Sequence, residues 1–452
     1  MILQSFLRRV FVAVAALLGV LTLFLPARAA QPSTIQTDTI TPSEALEEVL
    51  RAQPSAEMAE NLERYLRGVD TNAAALDAER LSAPIGIDIV PKTSTGRSRP
   101  SAEDAAAWKA VESVLSKWVS EELSRSSGPI QPPPKNVAEF LSSHADAIEA
   151  LRGGLLRGEP PLWEERLARI EKGPMPNLLG IIHLERLLVA DSLQQARALN
   201  LPSSMDDLEA AWRLAEELRR SPALIVRTLE MEMARYQAGL LRRLDVSSGT
   251  WRSRLCLLDP VSSMLDILRL EVSLWPLMGD ALYPESGSIL SKLAALVASP
   301  YTRACIRDTS KRALLKLDRI APPRPYCDRN LGTGQTLESE IPWWNRLGGL
   351  MDINGGAYLR RASRLQLDVE MTIKVLDLRA ARDENHGSWP KTLIGISKSE
   401  VCPDDRWVYL AWPDGSMSLT FSRKLNWGAS ISDMLPTLYE APAPPTAQAP
   451  SY

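Results

Sequence analysis

The chain has 452 residues, of which 45% are hydrophobic, and its formal net charge at pH 7 is -3. This length and composition suffice for two or three regions with apolar cores, whereas the slightly acidic balance argues against a nucleic-acid-binding protein, which needs a basic stripe. Only three histidines occur and no H-E-x-x-H, G-x-S-x-G or P-loop pattern is present, so no metal site and no cofactor are expected.

The first 29 residues have the pattern of a secretory signal peptide. Arg8 and Arg9 precede a long apolar run, and alanines occupy positions 27 and 29, which a signal peptidase reads. We therefore predict cleavage between Ala29 and Ala30 and an exported protein of the periplasm or the extracellular space. The alternative is an uncleaved anchor, which would be the only part to contact the membrane, although its apolar run is slightly short for a bilayer-spanning helix.

Export changes the interpretation of the cysteines, because all four lie beyond the predicted signal in a compartment where disulfides persist. We favour the pairs Cys256–Cys305 and Cys327–Cys402, since each pair would connect one subregion. The alternative is that some of them are buried thiols.

Three features organise the chain before residue 136. The segment Ile85–Val90 is predicted to be a short strand because the helical period is lost there. Ser101 is predicted to cap a helix that runs to about Ser124. The three consecutive prolines Pro132–Pro134 favour an extended spacer, so we place a region boundary there.

The stretch 177–244 is predicted to be the centre of a body of helical hairpins. The helix at 178–199 is apolar over so much of its circumference that we expect it to be buried among other helices. Ser204 and Asp207 are interpreted as a capping box that opens the next helix. Ser221–Pro222 is interpreted as the cap and first residue of a third helix. Such short joints predict antiparallel or sharply angled neighbours.

Two histidines have structural interpretations. His183 shares a helix face with Leu187 and is interpreted as a core histidine, while Glu185 is expected to point elsewhere on that helix. His386 follows the last long helix, where an imidazolium would interact favourably with the helix dipole.

The C-terminal part combines a helix with a hairpin. From Gly356 onward, apolar residues predict a long helix with one main stripe and further apolar surface on another side. The runs Trp407–Trp412 and Met417–Phe421 flank Pro413-Asp414-Gly415, which predicts a β-hairpin. Two strands alone are marginally stable, so the hairpin should pack on the helices or recruit another strand.

The junction after the long helix has an order of residues seen elsewhere. The run His386-Gly387-Ser388-Trp389-Pro390 is followed by Leu393, a Cys-Pro and the strand pair. This order resembles uncharacterised exported bacterial helical proteins that have a helix-hairpin body and a terminal HGxYPxxL element. The resemblance covers most of residues 161–427 and implies an architecture without an activity. The body segments that resemble these proteins are Asn177–Gly180, Leu208–Trp212 and Ser221–Pro222.

One segment has the composition of a ligand-contact loop. Glu338 and Glu340 precede Trp343 and Trp344, and carboxylates beside aromatic platforms are typical of sugar-cleaving sites. No catalytic pair is assigned here, because a second catalytic partner for these glutamates is not identified. The alternative is that the tryptophans pack this loop onto the helices.

We predict a mainly α protein, an antiparallel helical-hairpin array with a small C-terminal α+β element made of a long helix and a β-hairpin. The favoured function is an exported non-enzymatic scaffold or protein-interaction protein of the bacterial cell envelope. Its partner would be an unidentified envelope protein and not a nucleic acid. The alternative is a cell-wall glycan-binding or glycan-hydrolysing protein that uses the segment Glu338 to Trp344. The predicted regions are a signal peptide at 1–29, an N-terminal helical region with a flexible leader at 30–127, a Pro-rich linker at 128–135, the helical-hairpin body at 136–320, the α+β region at 321–440 and a disordered Pro/Ala tail at 441–452.

Overall fold

A computed structural model of the chain divides it into two compact units, Met1–Ile40 and Thr41–Tyr452. All residues that the structure describes belong to the second unit. They are mainly helical, with a small three-stranded antiparallel sheet near the C-terminus, which confirms the predicted fold class. Among them, no helix has the length and apolarity needed to cross a membrane. The described residues are 60–61, 64–65, 68–91, 94–126, 128–165, 176–247, 249–281, 304–318, 355–423 and 438–442.

The helices are labelled here in chain order. They are α1 (Ala73–Ser82), α2 (Ala102–Ser124), α3 (Lys135–Ser143), α4 (Ala145–Leu156), α5 (Leu178–Arg197), α6 (Leu201–Glu216), α7 (Leu224–Arg243), α8 (Gly249–Cys256), α9 (Pro260–Ala281) and α10 (Gly355–Glu384). Short 3-10 turns follow α1 and α6, at Ala83–Ile85 and Leu218–Arg220, and residues 304–318 are also helical. The strands are β1 (Trp407–Ala411), β2 (Met417–Phe421) and β3 (Leu438–Ala441).

The start of α2 confirms one predicted cap, and the start of α6 corrects another. The Ser101 hydroxyl accepts a hydrogen bond from the Asp104 N–H at 3.1 Å, as a helix N-cap should. Helix α6, however, begins at Leu201 with a proline in its first turn, which favours an earlier start. Ser204 and Asp207 therefore lie inside the helix, where both are buried. The predicted capping box is wrong.

The start of α7 also differs from the expectation. The helix begins at Leu224, and its N-cap residue is Ala223 rather than Ser221. The Ser221 hydroxyl instead donates to the carboxylate of Glu165 at 2.9 Å while accepting from the Ala223 N–H at 3.2 Å. The Ser221 hydroxyl therefore bonds Glu165, which is far away in sequence, and α7 begins three residues after Ser221.

The segment Ile85–Val90 is not a strand. Ile85 ends a 3-10 turn and Gly86 has a φ of +89°, a left-handed conformation that suits glycine. A Cβ at Gly86 would also lie 2.1 Å from the carbonyl oxygen of Asp104, so the backbone passes α2 very closely. The buried isoleucines, including Ile87 and Ile89, pack into the core from an irregular segment.

One large hydrophobic core runs through the helical body. Helix α5 lies at its centre, and Leu184, Leu187 and Leu188 are completely buried there, as the sequence predicts. The core contains residues from both sides of the Pro132–Pro134 segment, for example Leu115 of α2 and Phe140 of α3. The proline-rich segment thus connects helices that share one core.

Helix α10 contacts two cores with different faces. Leu359, Leu365 and Leu376 belong to the large core of the body. Met371 and Leu378 belong to a second, smaller core beneath the sheet. This arrangement confirms the two apolar sides predicted for the helix.

The sheet has the order β1-β2-β3 and is antiparallel throughout. In its register Trp407 lies opposite Phe421, and Leu419 lies opposite Tyr439. The predicted hairpin is confirmed, and it both packs on α10 and recruits the third strand that its marginal stability called for.

Arg379 connects the helical body to the sheet. Its side chain is 2% exposed, and it donates hydrogen bonds to the carbonyls of Leu241 at 2.8 Å and Arg242 at 2.7 Å. It also donates to the hydroxyl of Tyr439 at 2.9 Å. These carbonyls belong to the last turn of α7, where carbonyl groups have no N–H donors from the same helix. Arg379 therefore caps α7 and holds α10 and β3 against it.

Candidate functional site

Within the described ranges, the outer edge of β1 presents backbone groups that no other strand pairs. The hairpin closes with the Trp412 N–H donating to Ser416 at 2.9 Å, and Ser422 donates to Arg406 at 2.8 Å. In an antiparallel pair the hydrogen-bonded residues alternate, so the odd-numbered residues of β1 direct their peptide groups away from β2. The Trp407 N–H already bonds the Ser397 carbonyl on that side at 3.0 Å.

Beyond Trp407 the edge is open among the residues that the structure describes. The peptide groups of Tyr409 and Ala411 face outward, and no described strand pairs with them. The opposite edge of the sheet differs, because the Glu440 N–H of β3 donates to the Ser126 carbonyl at 2.8 Å. The sheet is thus tied to the helical body at β3 and exposes its main chain at β1.

The same strand exposes apolar side chains. Trp407, Tyr409 and Ala411 face the small core, so the even-numbered residues face away from it. Leu410 and Trp412 on that outer face are 46% and 52% exposed. Edge strands that are protected against pairing with other chains usually carry a lysine or a proline. The sequence of β1 is Trp-Val-Tyr-Leu-Ala and contains neither residue. An open edge with apolar side chains is typical of an interaction site.

A buried carboxylate holds this strand in position. Glu370 of α10 accepts hydrogen bonds from the Trp407 indole N–H at 3.0 Å and the Ser399 hydroxyl at 3.0 Å. It also accepts from the Val401 N–H at 3.3 Å and lies 3.8 Å from the ammonium of Lys374. Burial lowers the pKa of Lys374, whereas the nearby Glu370 carboxylate raises it. The edge strand β1 is therefore bonded to helix α10 through Glu370.

The hairpin turn is fixed by its own side chain. The Asp414 carboxylate accepts hydrogen bonds from the Ser416 N–H at 2.9 Å and from the Ser416 hydroxyl at 2.6 Å. These bonds lower the pKa of Asp414, so the carboxylate is charged at neutral pH. Gly415 has a φ of +86°, which explains the Asp-Gly order of the turn. We call β1 with Trp412 the open edge.

Comparison with known proteins adds no family. No protein-family model, curated protein or solved structure matches this chain. The resemblance to exported helical proteins therefore remains a prediction.

Several predicted site residues lie outside the described ranges. They are Ala29 and Ala30 at the signal cleavage site and Glu338, Glu340, Trp343 and Trp344 of the ligand-contact loop. Those interpretations remain predictions. Within the described ranges, no three His, Cys, Asp or Glu side chains are grouped so that they could hold a metal ion.

The structure corrects one of the two expected disulfides. Cys256 and Cys305 are present as thiols, so the predicted bridge between them is wrong. Cys256 is exposed at the end of α8, whereas Cys305 is buried. Cys402 is buried and disulfide-bonded, and its predicted partner Cys327 lies outside the described ranges.

The roles expected for His183 and Glu185 are exchanged. His183 is half-buried, its Nε2 lies 3.1 Å from the Glu112 carboxylate, and burial lowers its pKa. Glu185 is completely buried, and the side-chain amide of Gln237 donates to it at 2.9 Å. Burial raises the pKa of Glu185 to about 8. The two positions lie about 200° apart around α5, so the side of the helix that is partly exposed at His183 is opposite the completely buried side at Glu185.

A second buried acidic group was not predicted. Arg152 of α4 donates to Asp207 at 3.0 Å and to Asp191 at 3.4 Å, which joins α4, α5 and α6. Burial and the neighbouring carboxylate of Asp191 together raise the pKa of Asp207 to about 9, although the nearby Arg152 lowers it. The only sequence signal was the placement of both aspartates on otherwise apolar helix faces.

Proposed function

We propose that this protein is an exported, non-enzymatic interaction protein of the cell envelope that binds an extended segment of a partner protein along the open edge. The observation that carries the proposal is the edge strand β1, which combines outward peptide groups with exposed Leu410 and Trp412. Adding a strand to such an edge is a common mode of peptide recognition.

The geometry defines what the partner segment should look like. The outward N–H and C=O groups of Tyr409 and Ala411 would pair with its main chain, which gives affinity without a sequence requirement. Side chains on the outer face would contact Leu410 and Trp412, so every second residue of the partner should be apolar. The partner is therefore an extended protein segment with alternating apolar residues.

Photo-crosslinking in intact cells tests the proposal. A photoreactive phenylalanine analogue replaces Leu410 in one variant and Ile394 in the control, because Ile394 is fully exposed but lies outside the sheet. We expect one or a few defined adducts from position 410 and none from position 394. Mass spectrometry of the adduct identifies the partner and the crosslinked peptide.

A proline at Ala411 provides the decisive second variant. The Ala411 N–H faces outward, so Ala411→Pro should block strand addition without removing a bond of the β1–β2 ladder. We expect the adduct at position 410 to fall at least tenfold while the melting temperature stays near that of the wild type. Adducts that persist in Ala411→Pro, or that form equally at position 394, would contradict strand addition.

The alternative glycan function has a separate assay. Saturable binding to purified cell-wall glycan that is lost in Trp343→Ala and Trp344→Ala would support a glycan-binding protein instead of a pure interaction protein. Export itself is tested by the intact mass of material recovered from the envelope, which should correspond to a chain that begins at Ala30.

A further inference from the structure

A cavity of about 300 Å³, lined by both charged and apolar side chains, lies on the helical body, and none of its lining residues belongs to the open edge. It is formed where the 3-10 turn after α6 and the middle of α7 meet the first turn of α9. Arg219, Arg220 and Arg227 line it together with Ser262 and Ser263. A cavity of this size accommodates a small molecule.

Arg227 is the most deeply buried of the three arginines. Its side chain is 10% exposed and donates to the Arg219 carbonyl and the Ser263 hydroxyl, while its Nε has no hydrogen-bond partner among the residues that the structure describes. An arginine carries five N–H donors, and a buried donor without an acceptor is costly. The cavity wall therefore contains a buried cation whose donors are incompletely used.

The buried charges beside the cavity do not balance. Arg219 donates to Glu230 at 3.1 Å, and Arg227 lies 3.4 Å from the other oxygen of the same carboxylate. Two guanidinium groups thus share one carboxylate. Gln237 connects Arg219 to Glu185, but the pKa of Glu185 is raised to about 8, so at neutral pH it is mostly protonated and contributes little further negative charge.

Aromatic stacking fixes the position of this excess charge. The Arg219 guanidinium lies 3.6 Å from the ring centroid of Trp212, which holds it flat while leaving its edge for hydrogen bonds. The first turn of α9 also lines the cavity, and the carboxylate of Asp259 caps its amino end.

The other acids that line the cavity are already engaged. Asp259 accepts from the Ser262 N–H at 3.1 Å at the start of α9. Asp266 lies 3.7 Å from the guanidinium of Arg269. Arg220, which is more exposed, is bonded to Glu217 outside the cavity. These pairings leave the shared Glu230 as the only carboxylate bonded to Arg219 and Arg227 in the contacts described for these ranges.

From this geometry we infer that the cavity is a binding site for the oxyanion group of a small ligand, a carboxylate or a phosphate. The oxyanion lies against the two guanidinium groups that share Glu230, and it accepts hydrogen bonds from them and from the hydroxyl of Ser262. The site is independent of strand addition at the open edge.

Thermal unfolding of the full chain in the presence of simple salts tests the site. The probes are sodium phosphate and sodium succinate, each compared with sodium chloride at the same ionic strength. We expect a saturable rise in melting temperature with at least one oxyanion and not with chloride, since a ligand that binds only the folded state stabilises it. A response to phosphate alone or to succinate alone identifies which source of oxyanion the site prefers.

Two variants separate binding from folding. Arg227→Gln should weaken the oxyanion affinity at least tenfold. Because this residue is buried, Ser262→Asp is the second variant: an acid in the first turn favours the helix but repels an anion from the cavity. Arg382→Gln, at a different arginine cluster, is the control and should keep the wild-type affinity. The proposal is overturned if phosphate and succinate stabilise the protein no more than chloride does. It is also overturned if their stabilising effect is undiminished in Ser262→Asp.

Discussion

Glu185→Gln should make the protein more stable at alkaline pH. Glu185 is completely buried in α5, accepts one hydrogen bond from Gln237 and has no partner at its second oxygen. Burial raises its pKa from 4.5 to about 8. Glutamine has nearly the same shape as the protonated acid and carries no charge, so it keeps the contact with Gln237 and removes the titration.

The direction in which stability changes with pH follows from proton binding by Glu185. Between pH 4.5 and about 8 the folded state holds a proton on Glu185 that the unfolded state has released. Stability therefore declines as the pH rises from the unfolded pKa through the folded one. A tenfold change in proton affinity corresponds to about 1.4 kcal/mol, so the full decline is roughly 5 kcal/mol at high pH.

Urea denaturation between pH 5 and pH 9 measures this effect. The wild type should lose unfolding free energy over that range, and Glu185→Gln should lose several kcal/mol less than the wild type, because Asp207 titrates in both proteins. Glu121→Gln, at an exposed position paired with Lys117 in α2, is the matched control and should keep the wild-type slope. Equal slopes for the wild type and Glu185→Gln would refute the assignment of Glu185 as a buried, protonated acid.

Three further predictions concern packing and cysteine chemistry. Arg379→Met should lower the free energy of unfolding by about 3 kcal/mol or more, since it leaves buried carbonyls of α7 without donors. Gly180→Ala should destabilise by roughly 1–3 kcal/mol, because a Cβ there would lie 2.0 Å from a backbone oxygen; Gly153→Ala, with its nearest neighbour at 3.9 Å, is the stabilising control. A maleimide should label Cys256 in the native protein and Cys305 only after unfolding.

Each of these has a clear contrary result. Melting curves in which Arg379→Met matches the wild type would show that the α7 carbonyls find water instead. Equal effects of the two alanine substitutions would mean that the backbone at Gly180 can shift. Rapid labelling of Cys305 in the native state would require frequent opening of the core.

The elements that sequence alone predicts are those whose signals are local and repeated. The two apolar sides of α10 extend along a 30-residue helix, and both are confirmed by the two cores that it contacts. The hairpin is similarly marked by alternation and by its Asp-Gly turn. Ser101 caps as expected because both of its partners, the N–H and the carboxylate of Asp104, lie only three residues away.

The failures occur where a distant partner decides. Ser221 has the sequence pattern of a helix cap, but its hydroxyl donates a hydrogen bond to Glu165, which is far away in sequence. Ser204 bonds Ser192 at 2.8 Å inside the core. The two proposed sites were missed for the same reason. The open edge depends on which strand β2 recruits, and the arginine cavity exists only because the start of α9 packs against Arg227.

The two-sided helix α10 has a consequence for how the chain can be divided. One of its faces completes the core of the body and another completes the core beneath the sheet. Truncation before β1 would leave Met371 and Leu378 facing water along several turns, which favours aggregation. A fragment that begins at α10 would expose Leu365 and Leu376 instead. The open edge therefore has to be studied in the intact chain, because neither core is complete without α10.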